Sequence, residues 1–360
     1  MTLMKSKFYV PGPLEQAICL KVKSGSSMSK VALQLGDQGA ITSTQLFNIG
    51  VDYTNRASDL KAGNFLIRAG ASMAEIADQI TTSGRNTCGT EVIYRVGVTR
   101  TTVLVRELDP MTNAYVEVAR FNPAEEVAPD VYSQSLAVND TRMRVTVAEG
   151  ATSWQIVEGL KAIDALGGNV PELPSEGSLA PDSYEIRVGD LRTDILQLML
   201  KAQEVLLAEV WASRNDKTPV DSKEELLVLA SIIEKETSVA GERDMVASVF
   251  ANRLNSGMRL QTDPTVIYGI TLGKGPLGRR LLKKDTLRDT VWNTYTNFGL
   301  PPSPIANPGL ASLQAAINPA ETDYKYFVAD GMGGHAFAET NKEHNRNRVA
   351  LKKIIADQNK

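Results

Sequence analysis

The chain has 360 residues, which at roughly 150 residues per domain indicates about two domains and ample length for a buried core, and excludes a disulfide mini-scaffold. With 42% hydrophobic and 22% charged residues the composition excludes both disorder and a fibrous repeat. Lys plus Arg number 39 against 42 Asp plus Glu, a net charge of -3, and no basic block of five or more occurs, so a general nucleic-acid binder is not expected.

The longest apolar run, Leu226 to Ile233, is interrupted by Ser231 and falls far short of the ~18 residues of a membrane span. The stretch Met1 to Lys7 has no apolar segment of signal-peptide length. Either a cytoplasmic protein or one whose targeting segment is absent is expected. Two cysteines, Cys19 and Cys88, cannot form a metal cluster; they can join in one disulfide or be a pair of small buried residues, the commoner arrangement.

In chain order, the first half carries a pattern three times: Val22-Lys-Ser-Gly25-Ser-Ser-Met28, Ile67-Arg-Ala-Gly70-Ala-Ser-Met73 and Val147-Ala-Glu-Gly150-Ala-Thr-Ser-Trp154. Each reads as a strand end, a glycine turn and a helix capped by Ser27, Ser72 or Thr152, whose hydroxyl satisfies the first free amides. Such strand-turn-helix units suit LysM-like modules that grip polysaccharide; three copies of a generic helix start would look the same.

Between Gly84 and Arg144 the texture turns β-branched, in Glu91 to Val98 and Thr101 to Leu108, broken by Asp109-Pro110 and Asn122-Pro123, and predicts a β-rich insertion or extended hairpin. A helix follows from about Leu191 to Ala212 with the stripe Ile195, Leu198, Ala202, Leu206 and Val210, and the polar stretch Ser213 to Ser222, containing Pro219, reads as a linker.

Ser222 with Glu225 forms a capping-box pattern at the start of the next helix. Its apolar face is Leu226, Leu229, Ala230 and Ile233, with Glu234 and Glu236 on opposite flanks. Glu236 falls near Leu229 and Ile232, where apolar surface disfavours its charged form, as a general acid near neutral pH requires. Periodicity does not separate the two glutamates, and both would also serve as solvated ends of an amphipathic helix.

Beyond it, Gln261, Asp263 and Tyr268 stand among turn residues, and Asn293 and Tyr295 precede the proline-rich Gly299 to Gly309. Amides, hydroxyls and tyrosines on rigid loops suit a sugar, which offers hydroxyls and flat apolar ring faces. The only histidines, His335 and His344, form no His-x-x-x-His pair and fall short of a three-ligand zinc set. Neither a Gly-x-Ser-x-Gly elbow nor a Walker loop nor a dinucleotide glycine fingerprint stands in suitable context, so no metal or cofactor is expected.

Ala230-Ser-Ile-Ile-Glu-Lys-Glu236-Thr, Glu242-Arg-Asp-Met-Val-Ala-Ser-Val-Phe250-Ala-Asn-Arg-Leu and Gly257-Met-Arg-Leu-Gln-Thr-Asp-Pro-Thr-Val-Ile-Tyr-Gly resemble the signature of the endolytic murein transglycosylase family called MltG or YceG-like. The resemblance continues through Asn293-Thr-Tyr295, Gly299 to Gly309, Tyr326 to Asp330, Gly334-His335 and Glu343-His-Asn345, with a further likeness in Glu176 to Tyr184. It implies cleavage of MurNAc-GlcNAc bonds within peptidoglycan glycan strands by one catalytic glutamate, which by position corresponds to Glu236, yielding 1,6-anhydroMurNAc ends. Gln261, Asp263, Tyr268, Asn293 and Tyr295 are the expected substrate-positioning residues. A non-catalytic peptidoglycan-binding module is the alternative.

The resemblance further implies a single-pass inner-membrane protein with its catalytic domain in the periplasm, anchored through a segment missing from this sequence, and peptidoglycan synthases as candidate partners. The fold expected is α+β: a LysM-like subdomain over 1–85, a β-rich insertion over 86–144, a second LysM-like repeat and connecting helix over 145–221, and a mixed α+β catalytic domain over 222–360.

Overall fold

The structure, a computed structural model, describes residues 7–82, 87–137 and 141–358. The fold is mixed α+β, and the chain divides into two compact units. One comprises residues 1–94, 102–144 and 185–187; the other comprises 95–101, 145–184 and 188–360.

In the first unit, β1 (Ile18–Val22) pairs antiparallel with β2 (Gly63–Ile67), and between them lie α1 (Met28–Asp37) and α2 (Thr44–Tyr53). After β2 comes α3 (Met73–Thr82). Leu20, Leu35, Phe47, Phe65, Ile67, Ile76 and Ile80 from these five elements fill one core. The first two sequence copies therefore share a sheet and a core. Their turn glycines, Gly25 and Gly70, both adopt φ near +70°, at 76° and 69°, a left-handed conformation open to glycine at no cost. Ser27 Oγ accepts from Lys30 N, and Ser72 Oγ accepts from Glu75 N while Glu75 Oε2 accepts from Ser72 N, a complete capping box.

Cys19 on β1 and Cys88 are joined in a disulfide, which corrects the reading of two small unpaired core residues. Spacing in sequence is silent on such a pair; the bond depends on the chain after β2 returning beside β1.

The β-branched region forms β3 (Thr90–Val96), β4 (Thr101–Asp109) and β5 (Ala114–Phe121). A short α4 (Asp130–Leu136) follows, then β6 (Arg142–Val147). The sheet order is β5-β4-β3-β6-β7, with β7 at Ser183–Ile186, and the β4–β5 ladder shifts register between Val105 and Arg106. Buried Glu91 on β3 neutralises arginines from neighbouring strands, Arg106 at 2.5 Å and Arg144 at 3.1 Å.

The second unit holds α5 (Ser153–Lys161), the 21-residue α6 (Arg192–Ala212), α7 (Lys223–Glu236), α8 (Arg243–Asn255), α9 (Asp263–Thr271) and α10 (Leu310–Ile317). A hairpin of β8 (Tyr326–Ala329) and β9 (His335–Ala338) follows, then α11 (Asn341–Gln358). The third sequence copy starts α5: Gly150 has φ 76°, and Thr152 forms a capping box with Gln155.

α6 buries Ile195, Leu196, Met199, Gln203 and Val210, whereas Leu198 is exposed, so its buried stripe is rotated from the expected one. The helix admits a polar Gln203 into the buried row because its Nε2 donates to Gly177 O at 3.1 Å. The stretch 213–222 is pinned to neighbouring chain: Thr218 Oγ1 donates to Ile317 O and Asn215 Nδ2 to Asn318 Oδ1.

α7 is the centre of this unit. It packs against α6, α8, α9 and α10, and Leu226, Val228, Leu229, Ala230, Ser231, Ile232 and Ile233 are all buried, so the helix is enclosed nearly all round rather than along one face. Ser222 Oγ caps it by accepting from Glu225 N, while the Glu225 carboxylate reaches Asp221 N, one residue before the capping-box position. No described helix is long and apolar enough to cross a membrane.

Candidate active site

The α7 helix ends at Glu236, and Thr237 leaves in extended conformation. The carboxyl thus sits where backbone carbonyls point outward and a negative charge is unfavourable. Burial pushes Glu236 up to about 7, with the charge of Asp263 adding to the rise. Thr262 Oγ1, donating to Glu236 Oε2 at 3.0 Å, opposes it, as do His335 and Arg253. The result is an acid poised near neutrality with donors and a cation at hand to receive its charge.

Two loops meet at this carboxyl. Thr294 Oγ1 accepts from Thr262 N at 3.1 Å and bonds Thr265 Oγ1 at 2.9 Å, and Gln261 N donates to Thr294 O. All three threonines are buried, so the hydroxyl network fixes Thr262 as a donor rather than leaving it to rotate. Asp263 opens α9 with Pro264 behind it, and Tyr295 donates its hydroxyl to Asp263 Oδ1 at 2.7 Å. Burial and Asp263 raise Tyr295 well above its usual range, keeping it a neutral donor.

Arg253 of α8 is buried, its guanidinium donating to the carbonyls of Lys325 and Leu260 and lying 5.6 Å from the Tyr326 ring centroid. Its fork is committed to backbone, which holds the positive charge in one place near Glu236.

Of the residues expected from sequence, the fold gathers Glu236, Asp263 and Tyr295. Gln261 adjoins them, exposed, with a left-handed φ of 48°. Asn293 is fully buried; its Nδ2 donates to Thr286 O and Arg288 O and its Oδ1 accepts from Tyr295 N, so it shapes the loop that carries Tyr295. Tyr268 belongs to a second cluster, donating to Glu176 Oε2 at 3.1 Å and meeting Trp292 edge-on. Burial raises Glu176, whose Oε1 accepts from Ser153 N and from Asn307 Nδ2.

Glu234 has a different setting from Glu236. Its Oε2 accepts from Gly309 N at 3.0 Å, tying the proline-rich loop to α7. Sequence reasoning did not single out Thr262, Arg253, Glu242 or His335. All four lie inside the quoted motifs, but nothing in their spacing brings residues from α8, the loop before α9 and β9 to one carboxyl. Among the described residues no group of three or more His, Cys, Asp or Glu could hold a metal ion.

Comparison with known proteins follows this geometry. The endolytic murein transglycosylase of Bacillus subtilis is 32% identical over 341 residues, covering 94% of this chain and 85% of that protein. The endolytic murein transglycosylase of Streptococcus pneumoniae serotype 2 is 26% identical over 336 residues, 92% of this chain and 57% of its own length. The 2.6 Å crystal structure of a yceG-like protein from Listeria monocytogenes superposes with TM-score 0.50 at 27% identity, covering 92% of this chain and 99% of that one. The model of the YceG-like family matches residues 20–350, and the chain belongs to that family.

Proposed function

We propose that the chain is an endolytic murein transglycosylase that cleaves MurNAc-GlcNAc bonds within peptidoglycan strands, with Glu236 as its single acid and base. The observation that carries this assignment is a carboxyl held near neutral pH at the end of α7, between Thr262, Asp263, Tyr295 and Arg253. Family membership and relatives named for this activity support the substrate class.

A hydrolytic glycosidase generally employs two carboxylates, one as acid and one as base or nucleophile. Here one suffices. Protonated Glu236 gives its proton to the glycosidic oxygen as the bond to muramyl C1 breaks, and the leaving GlcNAc departs with a hydroxyl. The oxocarbenium-like muramyl residue is held by its own N-acetyl group. The Glu236 carboxylate, stabilised by Thr262 and by Arg253, then removes the proton of the C6 hydroxyl, and that oxygen closes on C1. The ring is 1,6-anhydro, Glu236 is protonated again, and no water is consumed. Tyr295, Asp263 and Gln261 position the sugar; Asn293 acts through Tyr295, and Tyr268 through the Glu176 cluster.

The first unit is assigned a LysM-like, glycan-gripping role, supported by two strand-turn-helix copies whose strands pair and whose helices share a core. The sequence boundaries 1–85, 86–144, 145–221 and 222–360 are retained as functional segments, the last carrying the chemistry. The Cys19–Cys88 disulfide supports an oxidising location, as expected for an enzyme on the periplasmic side of the inner membrane with synthases nearby.

Mass spectrometry of digested glycan strands tests the activity. Internal anhydro ends are expected; binding to sacculi without new ends would leave a binding module, and reducing ends would indicate a hydrolase.

A further inference from the structure

His335 opens β9, and Glu242 closes the short 3-10 turn Ala240–Glu242 between α7 and α8. Glu242 grips the histidine at two points: Oε1 accepts from His335 N at 2.9 Å, and Oε2 meets ring Nδ1 at 2.7 Å. Gly334 makes this approach possible, since a Cβ there would lie 2.6 Å from Glu242 Oε1. Asp330 Oδ1 fixes the preceding turn by accepting from Met332 N and Gly334 N. The ring stands edge-on to Phe327, at 5.4 Å, and Phe327 stands edge-on to Phe250 of α8. With Nδ1 committed to a carboxylate, the imidazole can gain or lose a proton without changing place.

Around Glu236 the charged and titratable groups come from every neighbouring element: Asp263 from α9, Arg253 from α8, Tyr295 from the loop beyond and His335 from β9. Around His335 stand Glu242, Asp330 and Glu236, and α11 adds His344, stacked on Tyr326 with Arg348 beside it. Arg253 is a permanent cation; His335 is the one cation at this carboxyl that can vary with pH. We propose that His335, clamped by Glu242, is a positioning residue for the proton chemistry of Glu236, setting positive charge against Asp263 and fixing the pH window in which Glu236 alternates between acid and carboxylate. The inference rests on Glu236 being the catalytic acid.

The test titrates the ligand-free chain with 13C-labelled glutamate by NMR, the Glu236 carboxyl signal being identified by its loss in Glu236→Gln, alongside the pH profile of anhydro-end release. In His335→Gln the Glu236 midpoint is expected to move up from about 7 by roughly half a unit to one unit, and the alkaline limb of the profile to follow. Glu242→Gln preserves the shape of the clamp, so it decides the matter should His335→Gln fail to fold; its shift is in the same direction and smaller. Unchanged midpoints, or lower rates with the alkaline limb in place, would overturn the proposal. If the wild-type chain releases no anhydro ends, the catalytic reading fails, yet the titration still decides whether His335 governs Glu236.

Discussion

A carboxyl group that must lose and regain a proton near neutrality has to be destabilised as an anion, and Glu236 meets that condition at a cost to the fold. Its usual value of 4.5 applies to the unfolded chain, while the folded value is about 7. The folded state therefore binds more protons than the unfolded one between these values, and stability is fully present below about 4.5 and lost as pH rises through about 7. Glu236→Gln, which is never charged, is expected to match the wild type near pH 4 and to exceed it by on the order of 2 kcal/mol at pH 8. Chemical denaturation at the two pH values checks this; equal stability at both would mean the carboxyl is not strained by burial. Glu234 lacks that role: a glutamine there still offers an oxygen to Gly309 N. Sequence alone left these two glutamates equivalent, because both flank the same apolar face and what separates them, a backbone amide for one and Thr262, Arg253 and His335 for the other, arrives from distant segments.

At the level of elements, α7 shows why periodicity stopped short. Ser231 reads in sequence as a break in an apolar run, yet in the fold it is fully buried, donating to Val228 O at 2.7 Å and accepting from Ile305 N at 3.0 Å. It fastens the proline-rich loop to the helix in mid-core. Ser231→Ala strands a buried amide and is expected to cost about 1–3 kcal/mol, read as a lowered denaturation midpoint with an unchanged slope. The helix starts were more legible. Ser27, Ser72, Thr152 and Ser222 all accept the expected amide, since capping is decided within four residues. The stripe of α6 was legible only in outline, because Gln203 is buried by a carbonyl from a separate loop, which no hydropathy pattern carries.

For the whole molecule, the α+β class and the strand texture of 90–121 followed from local sequence, but the pairing of Cys19 with Cys88 did not, since 69 residues separate them. Closing a loop of that length restricts the unfolded chain, so Cys88→Ser is expected to lower stability by about 2–4 kcal/mol, with the loss confined to non-reducing conditions. An equal midpoint for both proteins without reductant would show that the bond adds nothing. The first unit is thus stapled and the second holds the acid. The most direct measurement is digestion of purified glycan strands by wild type, Glu236→Gln and Glu234→Gln, with products sized and their ends assigned by mass. Internal anhydro ends from the wild type, activity within a few fold from Glu234→Gln and none from a folded Glu236→Gln are expected. Normal anhydro-end yield from Glu236→Gln would contradict the assignment of Glu236 as the catalytic acid.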